Sequence, residues 1–198
     1  MKLTALTLSD LKQVRLWRNE SLVSLRTSFP LTQEMQADFY ANVVCNRSAN
    51  ARYWAIWGDV KIPYMQKTIL PDGTKEFYPS EANQCCLIGM CGLENISWEN
   101  RNAEISIIID PDMTEKGYGA QAVDMLLEQG FNHLNLENIF GECYYCNPAL
   151  LFWRKISEKY KAEEARLPYR KYWNGKYYDS LYFNINKGEF TKHENIIS

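Results

Sequence analysis

Asn102-Ala103-Glu104-Ile105-Ser106-Ile107-Ile108-Ile109, followed by Asp110-Pro111 and then by Thr114-Glu115-Lys116-Gly117-Tyr118-Gly119-Ala120, is the stretch from which the rest of the chain is read. The apolar run Ile105 to Ile109 suits a strand buried within a sheet, and Asp110-Pro111 ends it. From Gly119 the pattern turns helical, with Val123, Leu126, Leu127, Phe131 and Leu134 on one side and Gln121, Asp124, Glu128 and Asn132 on the other. A strand, a glycine turn and an amphipathic helix therefore follow one another.

Upstream, Leu3 to Leu8 reads as a short strand, and Ser9 or Asp10 is placed to cap a helix carrying Leu11, Val14, Leu16 and Trp17. Thr32 suits the cap of a second helix, about Gln33 to Val44, with Met35, Phe39 and Val43 on one face. Arg52 to Trp57 and Cys85 to Ile96 read as strands. Between them, residues 59–83 read as an inserted hairpin or lid turning at Pro71-Asp72-Gly73. Downstream, Ile139 to Tyr145 is a strand, Asn147-Pro148 an N-cap with a proline behind it, and Ala149 to Tyr160 a helix. Asn174-Gly175 turns a closing hairpin, and residues 191–198 read as a polar tail. The order is mixed α and β around one sheet, a single domain over residues 1–190.

Composition narrows the function classes. The 198 residues carry 22 Lys plus Arg against 24 Asp plus Glu, which argues against electrostatic binding to nucleic acid. At 46% hydrophobic and 23% charged the chain is an ordinary globular one. No stretch approaches the ~18 apolar residues of a membrane span, and no secretory leader is evident, so a cytoplasmic, reduced protein is expected. Cys143 and Cys146 have the Cys-x-x-Cys spacing, but no second pair completes a zinc site, and alternation along a strand would point them to opposite faces. They read as structural. The two histidines, His133 and His193, give little material for a catalytic triad or a metal centre, and no metal is expected.

The glycine turn opens a helix, where unpaired N–H groups and the helix dipole favour a phosphate, although a turn that binds nothing has the same spacing. It is no Walker loop, because Lys116 precedes Gly117. Gly117, Gly119 and Ala122 match a dinucleotide fingerprint formally, yet Asp110 to Lys116 separate the first glycine from its strand.

In this context the chain resembles the GNAT acetyltransferases, and within them the ribosomal-protein N-terminal acetyltransferase branch. Trp17-Arg18-Asn19 is similar to that branch's N-terminal signature, and Asn102-Ala103-Glu104-Ile105 to its central strand with an acidic residue. Thr114 to Ala120 is similar to the Gln/Arg-x-x-Gly-x-Gly/Ala loop, with Thr114 where the family has Gln or Arg, and Asn147-Pro148-Ala149 to the segment whose asparagine approaches pantetheine. The resemblance implies a single GNAT-like domain of mixed α/β (α+β) class, a mostly antiparallel twisted sheet flanked by helices. It implies acetyl-CoA as co-substrate, with main-chain groups of Ile107, Ile108 and Ile109 along the pantetheine and Asn147 nearby. The amides of Glu115, Lys116, Gly117, Tyr118, Gly119 and Ala120 would hold the pyrophosphate. The partner implied is an amine acceptor, either a protein N-terminus, an amino sugar or a small amine, and the resemblance leaves room for a homodimer.

An acceptor amine must lose a proton before it attacks a thioester, and Glu104 is the candidate base, sharing a strand face with Ser106. A structural ion pair at Glu104 is the competing reading. The tyrosine that many family members carry in the last main helix is replaced by Trp153 and Arg154, which leaves Tyr145 or Tyr160 as stand-ins for the acid. A backbone N–H at the end of the Ile107 to Ile109 strand is placed to stabilise a tetrahedral intermediate. Near the closing hairpin, Arg166, Arg170 and Lys171 suit either an acidic acceptor or solvent. The rival to an enzyme is a catalytically silent CoA-binding or protein-interaction module on the same scaffold.

Overall fold

The structure is a computed structural model that describes residues 1–69 and 75–197, with side chains described over 1–61 and 84–193. Seven strands form one sheet: β1 Lys2–Ala5, β2 Arg52–Ile69, β3 Lys75–Ser97, β4 Asn102–Ile109, β5 Asn138–Tyr144, β6 Glu163–Trp173 and β7 Lys176–Asn186. Their order is β1-β2-β3-β4-β5-β7-β6, and every neighbouring pair is antiparallel except β4 with β5. The helices are α1 Leu8–Glu20, α2 Gln33–Phe39, α3 Tyr118–Glu128, α4 Leu150–Lys159 and α5 Lys187–Ile197. The expected class, a mixed domain on a mostly antiparallel sheet, is the one observed.

The cap of α1 is Thr7 rather than Ser9 or Asp10. Thr7 Oγ1 accepts from the Asp10 amide at 3.2 Å and Asp10 Oδ2 accepts from the Thr7 amide at 2.9 Å, so Asp10 closes a capping box from the third helical position. Leu11, Val14 and Trp17 then lie on one stripe against Leu6, Ala55 and Met90, which leaves Leu16 turned outward and 46% exposed. Thr32 does cap α2. A single π turn over Tyr40–Val44 follows, and it is Gln36, Phe39, Tyr40 and Val44 that face inward, with Met35 exposed.

On the other side of the sheet, Val123, Leu126 and Leu127 of α3 are fully buried against Ile56, Ile88, Ile105 and Ile139. Trp153 of α4 stacks on Phe183 of β7 with ring centroids 5.1 Å apart. Residues 191–197 of the expected polar tail belong to the helix α5, whose Phe190, just ahead of them, packs on Phe131 and Tyr160 and is 2% exposed. Both Asn174 (φ 46°) and Gly175 (φ 81°) are left-handed, as a two-residue type I′ turn requires, and this is the hairpin read from the sequence.

Residues 59–69 and 75–83 continue the same two strands. β2 and β3 pair from Arg52↔Leu93 out to Ile69↔Lys75, beyond the last β1 contact at Trp57 and the last β4 contact at Gly89. The expected turn at Pro71-Asp72-Gly73 lies outside the described residues.

The feature that positions the site is a short seam. β4 pairs with β5 only over Asn102–Glu104 against Asn138–Phe140. Past Glu104, β4 stays on β3 as far as Ile109, while β5 stays on β7 as far as Tyr144, so the edges of β4 and β5 part. Gly141 allows the packing at the start of that parting: a Cβ there would lie 2.4 Å from Phe183 Cζ and 2.9 Å from Ile105 Cγ2. Gly141→Ala is expected to cost about 1–3 kcal/mol through overpacking, read as a lower midpoint in thermal or denaturant unfolding.

Candidate functional site

The parting leaves main-chain groups of β4 without a strand partner. The Asp110 amide donates to Ile88 O at 2.9 Å. The two-residue repeat of an antiparallel ladder therefore assigns Ile108 and Ser106 to the set bonded to β3. The N–H and C=O groups of Ile107 and Ile109 point the other way, into the opening. Of the three residues expected to offer main chain there, two do, and Ile108 is turned to β3. Its side chain packs on the α1 side of the sheet, whereas Ile107 and Ile109 pack towards α3 and α4.

The glycine loop closes one end of the opening. Asp110 Oδ1 accepts from the Asp112 amide and starts a 3₁₀ turn over Pro111–Met113. Glu115 (φ 61°) and Gly117 (φ 82°) are left-handed, which bends the chain into the first turn of α3. The amides of residues 115–120 make no backbone hydrogen bond to any described residue, as expected of a helix start with an acceptor still to come. They are aligned with the positive end of the α3 dipole, so the loop fits a phosphate held by main chain alone. Side chains in the loop are engaged locally. Thr114 Oγ1 donates to Pro111 O at 2.9 Å and Lys116 Nζ to Asp112 O at 2.8 Å, while the Tyr118 hydroxyl reaches Asp59 O at 3.2 Å. Gly119 faces the Phe152 ring, 3.3 Å from where a Cβ would stand, and Ala120 is half-buried.

Asn147 sits outside α4, whose cap is Ala149 rather than Asn147, because Pro148 and Ala149 form a turn before the helix begins. Its Oδ1 accepts from the Ala149 amide at 2.9 Å and from Ser24 Oγ at 3.1 Å. Of the two stand-ins for the acid, Tyr160 has its hydroxyl engaged. It donates to Asp124 Oδ1 at 2.6 Å and its ring packs against Phe190, while the Tyr145 ring is met by the guanidinium groups of Arg154 and Arg166 at 5.9 and 5.4 Å from its centroid.

Glu104 lies on the opposite sheet face, at the last paired position of the seam, and is 7% exposed. Arg26, from the segment after α1, donates to its Oε1. Asn95 donates to its Oε2 at 3.0 Å. A bulge between Glu94 and Ser97 makes this second contact, since Asn95 adopts a left-handed φ of 50° that swings its amide towards β4. Two residues past the seam on β5, Glu142 faces the same way. It accepts from Arg170 Nε at 2.8 Å and from Ser180 Oγ at 2.6 Å, with Arg26 Nη2 at 3.7 Å. Burial works against the Arg26 charge, but Glu104 outweighs it and raises the guanidinium above its ordinary value. For Glu142 burial is likewise outweighed, by the hydrogen bonds from Arg170 and Ser180, and the carboxyl is held below the usual range. Tyr182 is shifted upward by burial first and then by Glu104 and Glu142.

The segment carrying Arg26 is tied down at several points. Lys171, 5% exposed, donates to Leu22 O at 3.5 Å, to Leu25 O, and to Ser28 Oγ at 3.0 Å, with its ammonium over the rings of Tyr144 and Trp173. Arg18 donates to Thr27, and Asn19 exchanges hydrogen bonds with the main chain of Leu31 at 3.0 and 2.8 Å. Thus Trp17-Arg18-Asn19 places one side chain in the core and two on the connection that follows. Arg170 and Arg166 are paired inside the chain, the latter with Asp179 at 2.5 Å. Sequence reasoning missed Arg26, Asn95 and Glu142. Only Glu142 carried a signal, as an acidic residue alternating with buried ones along a strand.

All six cysteines are free thiols. Burial pushes Cys143 up to about 12, with Cys146 adding to the effect. Cys146 lies in the turn after β5, its Sγ 3.9 Å from Val23 O, so strand alternation does not govern the pair. Among the described residues no three His, Cys, Asp or Glu side chains are grouped to hold a metal, and no helix is long and apolar enough to cross a membrane.

Because the Glu142 carboxyl is lowered in the fold, its contribution to stability is present above the unfolded value and lost as pH falls through the folded one. Urea unfolding across acid pH is expected to show wild type more stable than Glu142→Gln near neutrality. The two should converge as the pH drops below the ordinary carboxylate range.

Comparison with known proteins agrees with this geometry. Residues 1–160 match the acetyltransferase (GNAT) domain family. The chain is 31% identical over 108 residues to a spermidine N(1)-acetyltransferase of Vibrio cholerae, covering 54% of this chain and 61% of that protein. It is 30% identical over 105 residues to an uncharacterized N-acetyltransferase p20 of Bacillus licheniformis, covering 52% and 57%. The aligned stretch thus spans about three fifths of these relatives' length. Among solved structures, a V. cholerae spermidine N-acetyltransferase in complex with CoA and spermine superposes with a TM-score of 0.73 at 20% identity, covering 96% of this chain and 97% of that one. A mutant form of the spermidine/spermine N-acetyltransferase from V. cholerae gives 0.72 at 21% identity, covering 98% and 97%. At these identities the structures speak for the fold; one of the two relatives is a spermidine acetyltransferase, and the expected resemblance to the ribosomal-protein branch is not shown. With the parted strands and the unpaired loop amides as its setting, the family match over residues 1–160 shows that the chain belongs to the GNAT acetyltransferase family.

Proposed function

We propose that the chain transfers the acetyl group of acetyl-CoA to a primary amine by direct attack in a ternary complex, and that the acceptor is a polyamine of the spermidine type. The observation that carries the reading is the parting of β4 from β5 beside an unpaired run of amides at residues 115–120. In this reading those amides hold the pyrophosphate, and Ile107 and Ile109 offer main-chain groups to the pantetheine, with Asn147 across the opening. The thioester supplies an activated acetyl group with a tolerable leaving thiolate. Donors for the negative charge that develops on its oxygen are the outward N–H groups of Ile107 and Ile109.

Glu104, at the mouth of the opening, binds the acceptor's ammonium and takes its proton, directly or through a water. The name of the V. cholerae relative favours a polyamine over a protein N-terminus, and the carboxylates of Glu104 and Glu142 on one face suit a cation. The engagement of Glu104 by Arg26 favours a second reading, a CoA-binding module without turnover.

Calorimetric titration with acetyl-CoA, using NAD as the control, tests the cofactor. Saturable binding of acetyl-CoA alone is expected. Gly117→Ala, which places a Cβ on a left-handed residue at about 1–2 kcal/mol, should weaken it. Spermidine acetylation should then be measurable, and Glu104→Gln should lower kcat/KM about 10²–10⁴-fold. Binding without any turnover would favour the silent module. Unchanged turnover in Glu104→Gln would remove Glu104 as the base.

A further inference from the structure

Resting on the reading that Glu104 receives the acceptor's ammonium, we infer that Arg26 sets acceptor affinity: its guanidinium occupies the place of that ammonium and leaves when an amine binds. The argument is one of charge and donors. Glu142 is served by Arg170 and Ser180 at 2.8 and 2.6 Å, so it stays paired without Arg26, whose nitrogen is 3.7 Å away. Glu104 differs. Asn95 serves Oε2, and Arg26 is the donor to Oε1. With Arg26 withdrawn, a carboxylate whose side chain is only 10% exposed is left with one oxygen unserved. Such an oxygen demands a donor, and a cationic one above all. One primary ammonium restores both the hydrogen bond and neutrality. A neutral acceptor restores only the first and an anionic one neither, so the site selects a cation.

The exchange needs no opening of the chain. The Arg26 side chain is 53% exposed, so the guanidinium covers the carboxylate from the solvent side. The backbone around it is pinned through Leu22, Leu25 and Ser28 by Lys171 and through Ser24 by Asn147. Rotation of one long side chain then uncovers Oε1 while the segment stays in place. An acceptor competes with a tethered cation, and its apparent affinity falls by the fraction of time the carboxylate is uncovered.

The test is calorimetric titration of spermidine into the full chain saturated with CoA, which lacks the acetyl group and permits no turnover. If Arg26 covers Glu104 about nine-tenths of the time, Arg26→Gln binds spermidine about tenfold more tightly than wild type. Arg26→Lys keeps the charge but loses the planar fork, and it shows a smaller gain in the same direction; this variant decides the matter if the glutamine variant fails to fold. The double variant Arg26→Gln with Glu104→Gln loses the gain. Equal or weaker spermidine binding in the single variants, a gain that survives in the double variant, or no spermidine binding by any of them overturns the inference. The CoA titration separates the two failures. Without CoA binding the functional reading itself falls, whereas CoA binding with no effect at Arg26 removes this inference alone.

Discussion

The site depends on three residue pairs. Parallel pairing of β4 with β5 over Asn102–Glu104 is long enough to close the sheet and short enough to let its edges part. A longer seam would satisfy the main chain of Ile107 and Ile109 with β5 and leave no opening. A shorter one would separate the half of the sheet carrying α1 from the half carrying β7. Parallel connection of β4 to β5 requires a crossover, and α3 supplies it, so the same constraint places a helix N-terminus at the head of the opening. Strand end, glycine loop and helix dipole are thus consequences of one topological choice.

Two kinds of surface share the seam, one on each side of the sheet. Towards α3 and α4, the seam presents apolar side chains and outward main-chain groups, with little side-chain polarity. Towards α1, side chains dominate: Glu104, Glu142, Arg26, Arg170 and Asn95 form a balanced set of charges in which each acid has a base or an amide. The first half depends on main-chain geometry, and Thr114, whose hydroxyl donates to Pro111 O, leaves the amides of residues 115–120 without a backbone partner among the described residues. The second half depends on side-chain pairing, because a buried carboxylate without its partner is costly.

What the sequence made legible follows the same division. The strand, glycine turn and amphipathic helix have fixed periods, and Glu104 stood out as a charge in an apolar strand. The turn at Asn174-Gly175 was readable because two left-handed residues are needed there. Arg26 was not, since it lies in an irregular segment where no period applies, and its partner is 78 positions away. Asn95 was hidden by a bulge, which resets the alternation from which a strand's faces are read. At α4, Asn147-Pro148 has the composition of a helix start, but the asparagine side chain closes a turn of its own and the helix begins at Leu150. Met35 and Leu16 were assigned inward by spacing alone, and the packing of neighbours on the stripe decided against them.

The ties on the segment after α1 also bear on how the molecule is put together. Ser24 is bonded to a residue 123 positions later, and Leu22 to one 149 positions later. Contacts of this span close last, because the loop they close costs entropy that only a nearly complete sheet repays. The part of the chain matched by the family model ends at residue 160, before Lys171. The acidic face is complete only with the final hairpin in place, since Arg170 and Ser180, the partners of Glu142, lie on its two strands.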